Sequence, residues 1–472
     1  MSLKLYNSLS KTKEDFKPYN PPNVNMYTCG FTVYDHTHIG SIKKYVGDDL
    51  IRRSLEFLGY KVNHVQNVTD VGHLVSDDDE GEDKLEKGAK KHNKSVWDVA
   101  SEFMDEFYTT MDAVNNLRPT IIQRATAEKS IKSQIAKVQT LIDKGFGYVT
   151  EKAVYFDVSK LSEYNPFSNQ TLEQKIKGAR KDVVIDKNKK NPADFALWVF
   201  TKGIHKNHIM RWESPWGTGF PGWHIECSAI SLDNLNNKID IHTGGVDHKE
   251  IHHPNEIAQN FGICGYSVVK YWVHHEFLVV DGKKMSKSLG NFYTLKDIVD
   301  KGFSPLELRY FMLQAHYRSQ LNFTWQALTN AANGYKNLKR KVAKLQALSL
   351  SFEQSKVPNL KKLDQFMQFT AALEDDINIP KALSVVWETV DNQQLDDNTK
   401  IALIKRFDEV LGLKLLDSTG DDIPKDVIDL AKKRQTARKQ KDFDLADKLR
   451  QQIEGRGFKV KDTSKGFEII KI

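Results

Sequence analysis

The sequence predicts an α/β protein: a parallel-sheet domain interrupted by an insertion, then a helical bundle and a small basic end. Three observations carry this. Short apolar strand patterns alternate with amphipathic helical ones near the start and again from about residue 205, as in strand–helix–strand units of a parallel sheet. A polar, loop-rich stretch separates the two blocks. Beyond about residue 304 helical periodicity takes over almost to the end.

The totals agree. A chain of 472 residues exceeds one ordinary core, so roughly two to four domains are expected. With 40% apolar and 28% charged residues it has a globular composition. No run is long enough to span a membrane, and Met1 to Phe16 lacks the apolar segment of a secretory signal. Three cysteines argue against a disulfide framework and for a reducing, cytoplasmic setting. The net charge is +7, and the last 48 residues hold 14 Lys+Arg against 8 Asp+Glu. A basic end of this kind fits a polyanionic partner or a solvated helical surface.

In chain order, Val24 to Cys29 reads as a strand. The polar run Tyr34–Thr37 makes a loop, and Ile39 to Leu58 reads as a helix stopped by Gly59. Lys61 to Val68 alternates as a second strand. Ser76 to Asp83 is an acidic loop. Ser95 to Leu117 and Ala127 to Lys144 are amphipathic helices, and Val149 to Val158 is strand-like. Residues 160–190 are polar, with a basic stretch at Lys187 to Lys190. Strands resume at Ile239 to His242, Val268 to Val273 and Phe277 to Val280. Helices are expected at Leu306–Ala315, Trp325–Leu348, Lys361–Leu373, Pro380–Leu395, Lys400–Leu411 and, as one piece, Val427–Leu449. The tail from Phe458 to Ile470 has strand-like ends around a turn.

Three strings carry chemistry. Gly222 to Glu256 holds Cys227, five of the fifteen histidines and the pair Gly244-Gly245. His252 and Glu256 stand at i,i+4, one face of a helix. Thiol, imidazole and carboxylate are zinc-type donors, although hydrogen-bonded core histidines give the same composition. His38-Ile39-Gly40-Ser41 falls at a strand-to-helix turn, where free N–H groups suit phosphate, or where His38 is simply a cap. Lys284-Met285-Ser286-Lys287-Ser288 places two lysines among small hydroxyl residues, a loop able to wrap a triphosphate and neutralise a leaving pyrophosphate.

The order and distance of the last two strings resemble the HIGH and KMSKS signatures of class I aminoacyl-tRNA synthetases. Within that class the chain resembles the cysteinyl-tRNA synthetases over nearly its whole length. The supporting strings include Tyr27-Thr28-Cys29-Gly30, Asn67-Val68-Thr69-Asp70, Ser214-Pro215-Trp216-Gly217, Trp223-His224-Ile225-Glu226-Cys227, His252-His253-Pro254-Asn255-Glu256, Leu308-Arg309-Tyr310 and His316-Tyr317-Arg318. The resemblance implies a Rossmann-type parallel-sheet catalytic domain with an inserted subdomain, a helical bundle and a small anticodon-binding end. The expected boundaries are 1–118 and 205–300 for the two catalytic halves and 119–204 for the insertion. A stem-contact segment follows at 301–330, the bundle at 331–424 and the basic anticodon-binding segment at 425–472.

The implied activity is ATP-dependent ligation of L-cysteine to tRNA(Cys) through a cysteinyl-adenylate, by a cytoplasmic monomer. One Zn2+ would be held by Cys29, Cys227, His252 and Glu256 and would select the substrate thiol. Mg2+ would accompany ATP. His38, Lys284 and Lys287 take the catalytic roles. Gly40, Ser41, Gly244, Gly245 and Asp247 join His38 and Lys287 in binding ATP. Thr69, Trp223, His224, His242 and His253 line the cysteine pocket. Arg434, Arg438 and Lys441 are expected phosphate contacts for tRNA. The sequence departs from the pattern at Ser41 (usually histidine), at Thr243 (usually glycine) and at His275-Glu276 (usually small or amide residues). The related ligase that joins cysteine to an amino sugar, and an RNA-binding paralogue with a degraded site, are the competing readings. The long helical region and basic end favour tRNA over the sugar, and the intact KMSKS string favours an enzyme.

Overall fold

The computed structural model describes residues 2–72, 74, 83–162, 164, 166–167, 188–286, 289–349, 358–417, 425–463 and 466–471. Lys287 and most of the acidic loop at 76–83 lie outside the described residues. The chain divides into two compact units, residues 1–332 with 370–382, and residues 333–369 with 383–472.

The first unit opens with a hairpin, β1 (Lys4–Asn7) and β2 (Thr12–Asp15). Its centre is a five-stranded sheet. β3 (Asn23–Thr28) leads into α1 (Ile39–Phe57) and returns as β4 (Lys61–Val68). α1 buries Ile39, Ile42, Val46, Leu50 and Leu55, the face predicted by their spacing, and Gly59 follows it at φ 97°. After α2 (Lys84–His92) and α3 (Val96–Ala113) comes β5 (Ile121–Arg124), then α4 (Glu128–Asp143). β5 pairs in parallel with β4, so it belongs to the central sheet. The expected domain break at 118/119 is corrected accordingly. Four residues of mixed polarity carry too little periodicity to mark a strand.

The insertion is a separate antiparallel sheet: β6 (Gly147–Val149), β7 (Ala153–Phe156), β8 (Phe195–Phe200) and β9 (Gly219–Pro221), in that spatial order. It therefore extends past the expected end at 204. The central sheet resumes after α5 (Trp223–Leu235) with β10 (Ile239–Gly245), α6 (His252–Cys264) and β11 (Val269–His275). All pairs in the order β11-β10-β3-β4-β5 are parallel. The connections run outward in opposite directions from β3 and β10, so the topological switch point lies between those strands. Ligands of open parallel sheets bind there, beyond the carboxyl ends.

A three-stranded sheet follows: β12 (Leu278–Val280), β13 (Lys283–Lys284) and β14 (Leu321–Phe323), with α7 (Leu295–Asp300) and α8 (Pro305–Leu313) between β13 and β14. The expected helices appear as α9 (Trp325–Ser349), α10 (Asp364–Glu374), α11 (Ile379–Asp391) and α12 (Asp397–Leu411). In the second unit Phe369 stacks on Phe407 at 4.1 Å between centroids.

The expected helix Val427–Leu449 is two helices, α13 (Lys425–Lys439) and α14 (Phe443–Glu454). Lys441 at φ 62° breaks the run, and the Asp442 side chain caps α14 by accepting from Leu445 N at 3.0 Å. They pack on the hairpin β15 (Phe458–Thr463) and β16 (Gly466–Lys471) around Val427, Ala431, Ile453 and Phe458. Arg434 is only 3% exposed, and its guanidinium grips Asp462 at 2.8 and 3.0 Å. It is a scaffold residue of this end, so the expectation of a phosphate contact there is withdrawn. No described helix is long and apolar enough to cross a membrane.

Candidate metal centre and nucleotide site

Cys29 is the first residue beyond β3, with its N–H donated to Thr243 O of β10 at 3.1 Å. Cys227 lies in the second turn of α5, and His252 and Glu256 sit one turn apart at the start of α6. All four converge at the switch point. Their donor atoms lie within 4.8 Å of one another, and all four residues are buried. Cys29 Sγ is 4.0 Å from Cys227 Sγ and 3.4 Å from Glu256 Oε1, and His252 Nε2 is 3.2 Å from the same Oε1. Zinc with Zn–S near 2.3 Å and Zn–N or Zn–O of about 2.0–2.2 Å gives tetrahedral edges of about 3.3–3.8 Å. The observed spacings match within a few tenths of an ångström.

The electrostatics also fit a cation. Burial pushes the Cys29 thiol well up, with Cys227 adding to it, and burial pushes Cys227 up to about 12. Burial likewise raises the Glu256 carboxyl, whose Oε2 is buried with no hydrogen-bond donor among the described residues. Burial drives His242, His253 and His274 well below the usual imidazole range. Desolvation is the largest cause for each group, and the Lys44 ammonium only partly offsets it at Cys29. A bound cation would favour thiolate, carboxylate and neutral imidazole together.

A second donor set overlaps the first. Cys29 Sγ is 3.3 Å from both His242 Nε2 and His253 Nε2, and Glu256 Oε2 is 3.5 Å from His242 Nε2. Cys29, His242, His253 and Glu256 thus also satisfy the ligand spacing. His252 Nδ1 lies 2.9 Å from His224 Nδ1, an outer partner that orients the ring for binding through Nε2. His253 Nδ1 has His274 Nε2 at 2.8 Å in the same role. Trp223, first residue of α5, lies over His252 at 4.4 Å between centroids.

Thr69 is buried near this wall. Its hydroxyl donates to Glu226 Oε1, and Asn67 Nδ2 donates to the same oxygen at 3.2 Å. Asn67 Oδ1 accepts from Gly30 N at 2.7 Å. Asp70 takes Arg124 Nε at 2.6 Å and Thr126 N at 2.9 Å. Sequence reasoning named Thr69 but missed Glu226, Asn67 and His274 as members. The only local signal for His274 was the doublet with His275. The Glu226 network spans three elements and has no local signal.

The two signature strings meet. His38 caps α1, its Nδ1 accepting from Ser41 N at 3.2 Å while Ser41 Oγ lies 3.2 Å from Nε2. The capping reading holds, and Ile39 N donates to Tyr293 O at 2.9 Å, so of the first-turn N–H groups Gly40 N is the one left for an anion among the described residues. A Cβ on Gly40 would lie 2.9 Å from Met285 Cε and 3.0 Å from the His38 ring, so glycine there lets the second signature pack onto the first. Lys284 is exposed on β13, whose loop is held by Asn291: its Oδ1 accepts from Ser286 N at 2.8 Å and its Nδ2 donates to Lys284 O at 3.2 Å. Gly244 and Gly245 end β10. A Cβ on Gly244 would strike the His253 ring at 2.5 Å, and one on Gly245 would strike Asp247 at 2.2 Å. The turn is therefore tight against the histidine cluster.

Residues 15–333 match the family model for the class I (C) tRNA synthetase catalytic domain. The cysteine–tRNA ligase of Treponema denticola is 40% identical over 487 residues, covering 98% of each chain. The chain belongs to the cysteine–tRNA ligase family of class I aminoacyl-tRNA synthetases. The Chlorobaculum tepidum member is likewise 40% identical over 489 residues, again with 98% of each chain covered. Among solved structures, Mycobacterium tuberculosis methionyl-tRNA synthetase bound by methionyl-adenylate shares the fold at TM-score 0.56 and 13% identity, over 84% of this chain and 89% of that one. The Agrobacterium radiobacter LeuRS–tRNA–LeuAMS complex does so at TM-score 0.60 and 11% identity, over 87% of each. Membership places the protein among the aminoacyl-tRNA synthetases, a class of ligases.

Proposed function

We propose that this enzyme ligates L-cysteine to tRNA(Cys) through a cysteinyl-adenylate, with zinc selecting the substrate by its thiol. The observation that carries this is the convergence of Cys29, Cys227, His252 and Glu256 in a buried cluster at the switch point. Two thiols make that set softer than the overlapping one with His242 and His253, which favours zinc on it. His242 and His253 then face the substrate side with Thr69, Trp223 and His224. Bound there, zinc supplies a soft site that prefers a thiolate to the hydroxyl of serine, a discrimination that pocket size achieves poorly.

The remaining steps fall to the chain. The α1 N-terminus and His38 hold the ATP phosphates, with the Gly244-Gly245 turn and Asp247 on the ribose side. The cysteine carboxylate attacks the α-phosphorus, and pyrophosphate leaves toward Lys284 and Lys287, with Mg2+ balancing its charge. A terminal ribose hydroxyl of the tRNA then attacks the adenylate carbonyl carbon, and AMP leaves. No covalent enzyme intermediate is needed, and positioning with charge stabilisation carries the rate. The tRNA engages the helical and basic C-terminal regions, and the enzyme acts as a cytoplasmic monomer.

The test is ATP–pyrophosphate exchange in zinc-loaded protein. Exchange should depend on cysteine and not on serine, with zinc near one per chain. Exchange with neither amino acid refutes the reading.

A further inference from the structure

One buried polar chain beside the metal centre has no role so far. Lys44 stands on the second turn of α1, and its Nζ donates to the backbone carbonyl of Cys29 at 2.7 Å. The Tyr45 hydroxyl reaches the same oxygen at 3.3 Å. Asp48, one turn further along α1, pairs with Lys44 Nζ at 3.1 Å, and both side chains are largely buried. The other Asp48 oxygen lies 2.8 Å from His275 Nε2. His275 closes β11 in register with Gly245 of the glycine turn. Its ring presses one edge against α1: a Cβ on Gly47 would come within 2.4 Å of Nδ1 and 2.5 Å of Cε1, so glycine there admits the ring where it stands.

A lysine ammonium removed from water and placed on a main-chain carbonyl costs desolvation, and Asp48 offsets it only because His275 fixes the carboxylate. Groups arranged at that cost commonly hold something in place. What Lys44 holds is the backbone of a residue whose thiol sits in the donor set. Gly30, next in the chain, is fixed from the other side by Asn67 at 2.7 Å.

We propose that Lys44, anchored by Asp48 and His275, is a positioning residue for the cysteine half-site. It sets the Cys29–Gly30 turn relative to the phosphate-binding end of α1, so that the amino acid and ATP are presented to each other correctly. This rests on the cysteine–zinc reading above.

The experiment uses the full-length, zinc-loaded enzyme and measures the KM for cysteine and for ATP separately in pyrophosphate exchange. Lys44→Met should raise the cysteine KM about tenfold, the loss of one charge-assisted hydrogen bond, with the ATP KM within about twofold. Lys44→Arg, which keeps a charged donor, should recover most of that loss. The double variant Lys44→Met/Asp48→Asn removes both buried charges together. It should fold better than either single variant yet keep the raised cysteine KM. In cobalt-substituted protein the visible absorption of Lys44→Met should differ from that of wild type, reporting a displaced Cys29. A purely structural role would lower the unfolding midpoint while leaving both KM values and the cobalt spectrum in place. That outcome, or equal rises in both KM values, overturns the proposal. If Lys44→Met does not fold, the double variant decides by the same criterion. Absence of cysteine-dependent exchange in the wild type would instead refute the functional reading itself.

Discussion

Glu256 and Asp376 are both carboxylates with no solvent exposure, yet their surroundings are opposite. Asp376 accepts from Tyr6 N at 2.8 Å, the Tyr317 hydroxyl at 2.6 Å and Arg318 Nε at 2.7 Å. It is fully partnered and neutralised. Glu256 has thiols and imidazoles around it and one oxygen without a donor. Burial costs both residues the same kind of desolvation, and only one recovers it within the protein. A buried carboxylate that is satisfied ties elements together. One left short, among soft donors, is ready for a cation.

The largest expected effect tests the Glu256 side of this contrast. Cys227→Ser should take zinc from about one per chain to near zero. Cysteine-dependent exchange should fall by more than about 100-fold, beyond the range typical of outer-shell partners. Retention of both would refute the ligand assignment. Asp376→Ala tests the other side. It strands Arg318 and should cost about 3–5 kcal/mol in denaturant unfolding, with zinc content and the cysteine KM of the folded fraction unchanged. Loss of zinc in that variant would erase the distinction between the two carboxylates.

A smaller effect follows from His64, which is buried and, through burial, depressed to about 4. Its folded value lies below the unfolded 6.5. The neutral form therefore stabilises the fold above pH 6.5, and that stability is lost as pH falls toward 4. The loss is on the order of 3 kcal/mol. His64→Gln should flatten the stability profile in that window, and an unchanged slope would count against it. The smallest effect concerns Ser41. Ser41→His should raise the rate of adenylate formation about two- to tenfold, one neutral hydrogen bond's worth. Equal rates would show that the serine hydroxyl suffices.

Much of this was readable before the structure, for reasons that differ by element. The strand–helix–strand start and the signature strings are local patterns, so periodicity and spacing reveal them. His252 and Glu256 share a helical face, which i,i+4 spacing states directly. Cys29 joined them through family resemblance, because nothing local links it to residues two hundred positions away. Glu226, Asn67 and the Asp48–His275 pair were missed because each contact joins separate elements. Thr243 and His275, which looked like unexplained departures, sit beside Asp48: both donate to it or steady its charge. The strand β5 (Ile121–Arg124) was missed for want of length, which left its residues in the insertion, and the Lys441 break was hidden in a continuous charged pattern.

The distance between Cys29 and Cys227 has a consequence in time. They are 198 residues apart in the chain. At roughly 5–20 residues per second, the first thiol is synthesised about 10–40 s before the second. Until β10 slides in beside β3, the Cys29 thiol has none of the donor atoms that later surround it and is open to whatever oxidant or stray metal the ribosome exit offers. A cation bound there would thus be a clasp fastened on a finished sheet, and the purity of what it fastened would depend on how well the cell guards one early thiol.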